Sequence, residues 1–323
     1  MRAIIVEQTG GPQALTLVDR PTPEPGPGEV LVDVAASGVN FIDVYHRSGA
    51  YPLPTPFVVG SEGAGTVRSV GTEVTGVAEG DRVAWAMSPG TGYTDEAVVA
   101  ADRLVLVPAE VELETAAAVM LQGLTAHYLA RSTFPASPGQ TALVTAAAGG
   151  VGLLLTQLLS RAGVRVVGTV GTTPKAELAR DAGAHEVVLY REEDLVERVR
   201  EVTGGEGVHV VYDGVGRDTF EAGLELLRPR GMMVLFGAAS GPVPPVDPQV
   251  LNQRGSLFLT RPSLAHYVAD RAELTARADD LLHLVAAGEL DVRISARYPL
   301  AEARQAHEDL EAGGTTGKLL LVP

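Results

Sequence analysis

The residues best suited to chemistry cluster in one stretch, Thr141-Ala-Leu-Val-Thr-Ala-Ala-Ala-Gly-Gly-Val-Gly152. A short apolar run over 141–145 leads into Ala147-x-Gly149-x-x-Gly152, and helical spacing follows over 153–161. This is the dinucleotide fingerprint with alanine at its first glycine position. Gly149 lets the backbone approach a pyrophosphate, Gly152 lets strand and helix pack closely, and the amides of the helix N-terminus meet the negative charge. A plain Gly-rich turn would carry the same letters. The strand before it, the helix after it and the further βα units beyond favour a dinucleotide site.

The end of the next strand decides which dinucleotide. Sites for NAD place Asp or Glu there, on the ribose hydroxyls. Here the segment reads Val164-Arg-Val-Val-Gly-Thr-Val-Gly171, then Thr172-Thr-Pro-Lys175, with no carboxylate. Gly171 leaves room, and Lys175 supplies a positive charge that attracts the 2′-phosphate of NADP, where a carboxylate would repel it. A lysine in a first helical turn meets the unfavourable end of the helix dipole and calls for an anionic partner. The alternative is a lysine that simply faces solvent. The pattern predicts NADPH.

These residues need a scaffold, and the hydrophobic spacing supplies one. Short apolar runs at 141–145, 164–170, 186–190, 208–212, 232–236 and 257–260 are mostly separated by helical stretches at 153–161, 175–182, 194–202 and 219–227. That alternation predicts a parallel sheet with helices on both faces. A Pro-rich loop covers 241–248. Before this region, Val-rich segments at 2–7, 15–19, 29–36, 63–70 and 81–86 are bounded by Gly and Pro, which predicts a small, mostly antiparallel β domain. A helix is expected over 113–132. The tail, with a helix at 271–287, a strand at 293–299, a helix at 301–311 and a strand at 318–322, breaks the βα alternation and is expected to return to the first domain.

Composition narrows the function classes. The 323 residues contain no Cys, which excludes disulfides, thiolate nucleophiles and Cys-ligated metal sites. A net charge of −15 argues against nucleic acid or anionic membranes as partners. No window reaches the roughly 18 uninterrupted apolar residues of a membrane span, and the N-terminal MRAIIVEQTGG is unlike a signal peptide, so a cytoplasmic protein is expected.

The whole chain resembles the zinc-free NADPH:quinone oxidoreductases of the medium-chain dehydrogenase/reductase superfamily, the group that includes zeta-crystallin. The resemblance is carried by Gly38-Val-Asn-Phe-Ile-Asp43, Gly60-Ser-Glu-Gly-Ala-Gly65, Gly123-Leu-Thr125, Ala146-Ala-Ala-Gly-Gly-Val-Gly152, Gly168-Thr-Val-Gly-Thr172, Val211-Tyr-Asp-Gly-Val-Gly216 and Thr260-Arg-Pro-Ser263. Where zinc alcohol dehydrogenases carry catalytic ligands, the matching positions here are Asn40 and Ser61, neither a good zinc ligand. No metal is expected. A quinone or conjugated carbonyl suits such a site, because its electrophilicity is intrinsic and the charge formed on reduction is delocalised.

The resemblance implies an α/β fold: a Rossmann doubly wound parallel sheet at 124–262 and a mostly-β GroES-like catalytic domain from 1–123 and 263–323, with cofactor and acceptor in the cleft between them. It implies that Asn40, Tyr45, Tyr51 and Thr125 line the cleft near the nicotinamide. Gly171, Lys175 and Tyr190 would surround the 2′-phosphate, and Gly149, Gly150 and Val151 would meet the pyrophosphate. Phe236, Gly237, Thr260, Arg261 and Lys318 would lie further along the cofactor groove. Gln122 departs from relatives that carry Lys there.

Plainer readings stand beside these. Tyr45 and Tyr51 fall in a Gly/Pro-rich stretch, where aromatic residues often just pack a loop, and Asn40 could cap a turn. Asp43 and His46 could form an acid–base pair, although neighbouring Asp and His are more often unrelated. Arg191-Glu-Glu-Asp194 reads as a solvated helix start, and 302–311 as an exposed helix face.

The reading is an NADPH-dependent quinone reductase with a small-molecule acceptor. Two alternatives remain open here: a 2-enal or enoyl reductase, which must deliver a proton to carbon, and a non-enzymatic NADPH-binding protein. The apolar segment 256–260 reads as an unpaired sheet edge; relatives pair this edge across a two-fold axis, which implies a homodimer.

Overall fold

Glu29–Val39, the longest strand, organises the first of two units in the computed structural model, which describes residues 1–323. That unit comprises Met1–Leu124 and Tyr267–Pro323. The strand is long enough to take two partners on one edge. Its first half pairs antiparallel with Glu96–Ala100, and Ser37, Gly38 and Val39 pair antiparallel with Lys318–Val322. On its other edge lies Glu62–Val70, also antiparallel. The tail therefore completes the sheet of the N-terminal segment. The register is consequential: with Leu319 opposite Val39, Lys318 falls beside Asn40, and with Ala36 opposite Ala64, Glu62 falls beside Gly38.

The seven-stranded sheet continues through Arg82–Ala86 to Val105–Leu106 and, at its other end, to Ile294–Pro299. A three-stranded sheet joins Leu15–Asp19, Arg2–Val6 and Phe57–Val58. All ladders of the unit are antiparallel except Ile294–Pro299 with Lys318–Val322, so the mostly antiparallel expectation holds. One core lies around Val30, Val32, Val67, Val83, Trp85 and Leu104, another around Ile4, Val39, Tyr93, Ala303, Leu319 and Leu321. The residues of each core take alternate positions along their strands, as Val30 with Val32, Val83 with Trp85 and Leu319 with Leu321 do.

Thr125–His266 forms the second unit. Its six strands are all parallel and lie in the order Glu186–Leu189, Arg165–Val170, Thr141–Val144, Val208–Asp213, Leu227–Leu235, Phe258–Thr260. In chain order this is 3-2-1-4-5-6, the doubly wound arrangement, whose direction reverses between Thr141–Val144 and Val208–Asp213. Central strands are covered on both faces and therefore read as continuous Val-rich runs. Phe258 stands on the last strand, an edge, and is 57% exposed.

Three α-helices escaped the sequence reading, one of them the single turn Leu264–Tyr267. Phe41–Ser48 lies partly in the stretch read as a Gly/Pro-rich loop, so Tyr45 belongs to a helix. Its eight residues are too few for a visible period, but Asn40 and Asp43 form a capping box and Gly49, at φ 82°, ends the helix. Pro248–Gln253 begins at the end of the Pro-rich loop, started by Asp247, whose side chain accepts from Gln249 N, and by Pro248 in the first turn. The helix expected over 113–132 is α-helical over Leu113–Tyr128 and widens to a π-helical turn at Leu129–Thr133.

Candidate active site

In the first unit the sheet register gathers Asn40, Glu62 and Lys318 into a buried polar cluster, 4%, 0% and 1% exposed. Lys318 Nζ is ion-paired with Glu62 Oε1 and donates to Asn40 Oδ1 (2.8 Å). Asn40 Nδ2 donates to Glu62 Oε1 (2.6 Å) and to Gly38 O (3.4 Å), and Gln122 Nε2 donates to Asn40 Oδ1 (3.4 Å). Glu62 Oε2 accepts from Leu121 N (2.6 Å) in the Leu113–Tyr128 helix. Lysine can only donate, so Lys318 fixes which end of the Asn40 amide is oxygen. Gly38 makes the cluster possible, because a Cβ there would overlap Glu62 Oε1 and the Lys318 ammonium.

A second chain of hydrogen bonds begins at Asp43, which is fully buried. Its carboxylate accepts from Asn40 N (2.9 Å), Tyr93 Oη (3.2 Å) and Ser61 Oγ (3.5 Å). Tyr93 Oη lies 2.9 Å from His307 Nε2, and His307 Nδ1 lies 3.1 Å from Arg47 Nη1. Arg47 also forms a two-pronged pair with Glu311 (2.9 and 2.8 Å). Arginine cannot accept, so the Nδ1 of a neutral His307 is the acceptor and its proton sits on Nε2. The donors then run in one direction, from Arg47 through His307 and Tyr93 to Asp43. Burial and the adjacent Arg47 charge push His307 down to about 3. Burial and the charge on Asp43 hold Tyr93 well above its ordinary value, so it remains a donor. Burial, reinforced by Glu62, pushes Asp43 up to about 7 against the opposing pull of Asn40 N, Lys318 and Tyr93. The Asp43–His46 pair does not form. Tyr93 serves Asp43 instead, while His46 lies by Tyr51, ring centroids 6.5 Å apart.

These shifts predict a pH dependence. A carboxyl raised in the fold binds its proton more tightly there than in the unfolded chain, so Asp43 contributes stability below about pH 4 that is lost as pH rises towards 7. His307, depressed in the fold, acts oppositely over much of this range. The variant Asp43→Asn isolates one contribution: its stability relative to the native chain rises between about pH 4 and 7. Urea unfolding followed by fluorescence of Trp85, the chain's one tryptophan and fully buried in this unit, measures it. A pH-independent difference would refute the shift of Asp43.

Near the Asn40 cap, the ring centroids of Tyr45 and Tyr51 are 5.1 Å apart, and Phe41 and Tyr45 are 6.3 Å apart. Tyr51 is 44% exposed. The pair forms a partly open aromatic surface. Asn40 itself is enclosed in its cluster, and Lys318 belongs to the same cluster of the first unit.

The other residues expected along the cofactor groove converge in the second unit at the carboxyl ends of its strands, where open α/β sheets bind ligands. Gly149 caps the Gly150–Arg161 helix, and the first intrahelical bond closes from Leu153 N to Gly149 O. The amides of Gly150, Val151 and Gly152 precede that bond and are the donors a helix start offers to an anion. A Cβ on Gly152 would overlap Ala146 O and lie 2.8 Å from Ala147 Cα, and Ala146 is held at φ 49°. The turn is drawn in as tightly as a pyrophosphate cradle requires.

At the end of the second strand, a Cβ on Gly171 would come within 2.8 Å of Tyr190 Oη and 3.2 Å of Arg191 Nε. Lys175, in the first turn of the Thr173–Asp181 helix, is shifted down by burial and then by the charge of Arg191. Two cations near enough to influence each other, beside a glycine gap, fit a doubly charged phosphate. Arg191 was read from sequence as part of a solvated helix start, and its approach to Lys175 is a tertiary fact. Further along, Gly237 N donates to Asp213 O (3.2 Å), the Phe236 ring lies over Gly214, and Arg261 donates to Leu235 O (3.1 Å) beside Thr260, which ends the sixth strand. Thr125 is buried in this unit, on the Leu113–Tyr128 helix. No group of three or more His, Cys, Asp or Glu side chains is gathered to hold a metal ion.

Comparison with known proteins gives the same architecture. Residues 26–130 match the alcohol dehydrogenase GroES-like domain, and residues 150–279 the zinc-binding dehydrogenase family. The chain is 48% identical over 317 residues to a quinone oxidoreductase of Salmonella typhimurium, covering 97% of each protein. It is 40% identical over 328 residues to a 2-haloacrylate reductase of a Burkholderia species, covering 99% of this chain and 98% of that one. It superposes on the Escherichia coli quinone oxidoreductase solved with NADPH at a TM-score of 0.98, with 46% identity and complete coverage of both chains. With this likeness along its whole length, the chain belongs to the quinone oxidoreductase family of the medium-chain dehydrogenase/reductase superfamily.

Proposed function

We propose that the chain reduces quinones with NADPH: quinone, NADPH and a proton give hydroquinone and NADP⁺. The observation that carries this reading is the whole-chain likeness to quinone oxidoreductases, one of them solved with NADPH. The second unit fits that cofactor. Gly150, Val151 and Gly152 offer amides to the pyrophosphate, and Lys175, Arg191 and Tyr190 surround the place for the 2′-phosphate. Phe236, Gly237, Thr260 and Arg261 stand along the rest of the strand ends.

When bound, NADPH supplies the hydride. The side chains have a modest task, because a quinone is already electrophilic and spreads the charge it receives over its ring. Positioning can therefore supply much of the acceleration. Tyr45 and Tyr51 offer the acceptor an aromatic face, and Thr125 is assigned to the nicotinamide side. Asn40 is held rigid by Lys318 and Glu62 and anchors the helix that carries Tyr45. Solvent delivers the last proton.

The test is consumption of NADPH with 1,4-benzoquinone, with a 2-alkenal and with no acceptor, each repeated with NADH. Quinone-dependent turnover selective for NADPH is expected. Turnover with the alkenal alone would move the function to reduction of activated alkenes, a reading favoured by the likeness to the 2-haloacrylate reductase. The exposed edge strand bearing Phe258 supports a homodimer joined through that edge. Light scattering at micromolar protein should give twice the 33.6 kDa chain mass, and a monomer would refute it.

A further inference from the structure

Asp213 is fully buried at the carboxyl end of the fourth parallel strand, yet it is absent from every role assigned above. Its Oδ1 accepts from Thr145 Oγ1 (3.0 Å), Val215 N (2.9 Å) and Gly216 N (3.2 Å), and Thr219 Oγ1 lies 2.8 and 2.9 Å from its two oxygens. Thr145 completes the knot by accepting from Gly214 N (3.0 Å). So many donors around one carboxylate offset the cost of burying its charge.

The position of this knot gives it a meaning beyond packing. Thr145 directly follows the first strand, one residue before the Ala146 turn of the fingerprint, and Asp213 ends the fourth. These are the neighbours between which the strand order reverses. The crevice at such a reversal receives the dinucleotide, with one mononucleotide on each half of the fold. Thr145 and Asp213 are thus bonded side chain to side chain across the two lips of that crevice. The third lip follows, since Phe236 N and Gly237 N donate to Asp213 O and a Cβ on Gly237 would overlap Gly214 O.

We propose that Asp213 and Thr145 form a clasp that sets the spacing of the two mononucleotide-binding halves, and so act as positioning residues for a ligand that spans both. This rests on the NADPH reading above. The clasp touches neither the 2′-phosphate residues nor the helix-start amides, so a ligand engaging only the first half does not depend on it.

Affinities of NADPH and of adenosine 2′,5′-bisphosphate, which carries the adenosine end with its 2′- and 5′-phosphates but no nicotinamide half, distinguish the cases when measured by calorimetry on the full chain. Thr145→Val keeps the side-chain shape and removes the hydroxyl; Asp213→Asn removes the charge. Each is expected to weaken NADPH about tenfold to a hundredfold and to leave the bisphosphate unchanged. General destabilisation would not move that ratio. Unchanged NADPH affinity in Thr145→Val, or equal loss of both ligands, would overturn the clasp. Failure of the native chain to bind either ligand would instead overturn the NADPH reading on which it rests.

Discussion

Lys318→Met lowers the unfolding free energy of the first unit by about 3–5 kcal/mol, because it strands the Glu62 carboxylate in a fully buried place without its cation. The double variant Lys318→Met with Glu62→Gln regains most of that loss. The amide oxygen still accepts from Leu121 N or Asn40 Nδ2, and no charge remains to be desolvated. Trp85 fluorescence in a denaturant titration follows this unit alone, which matters in a chain of two units where a single transition is not assured. If single and double variants lose equal stability, the charge pair is not what holds the cluster. The large expected effect has a geometric cause. Gly38 has no side chain, so the pair lies directly against the backbone, where a Cβ would overlap both charged groups.

Removing Lys175 and Arg191 together reverses the cofactor preference. Each charge-assisted contact to a 2′-phosphate is worth roughly 1.5–3 kcal/mol, or about tenfold to a hundredfold in affinity. Each single alanine variant should show that loss for NADPH, and the double variant a greater one. NADH lacks the phosphate and should bind as before, or better where phosphate-free ligand no longer faces two opposed cations. Dissociation constants from the fluorescence of the reduced nicotinamides measure both. Equal weakening of NADPH and NADH would remove the two cations from the phosphate site. Raising the salt concentration should weaken NADPH more than NADH in the native chain, since part of the attraction between charges is screened.

The sequence carried the fold class and the cofactor site further than it carried the acceptor site. In the second unit the chemistry is local. A glycine-rich turn between a strand and a helix declares its purpose in twelve consecutive letters, and the missing carboxylate after the second strand is legible in the same way. Val-rich runs separated by helical spacing can close only as a parallel sheet, and the tail's broken alternation already marked it as foreign to that sheet. Short elements were the gaps. Phe41–Ser48 is two turns long and shows no period, although its Asn40 and Asp43 spell a capping box.

Legible along the chain were the properties that depend on near neighbours: the fingerprint turn, the strand periods, the absence of thiols and the positive charge at Lys175. Tertiary structure alone decided the partnerships. Lys318 meets Glu62 and Asn40 because Glu29–Val39 is long enough to pair with both the N-terminal segment and the tail. Arg191 meets Lys175 because the second and third parallel strands lie side by side and end together. Asp213 meets Thr145 because their parallel strands are neighbours in the sheet. Each of these partnerships joins residues separated by many positions, and sheet register, which no local pattern encodes, brings them near one another.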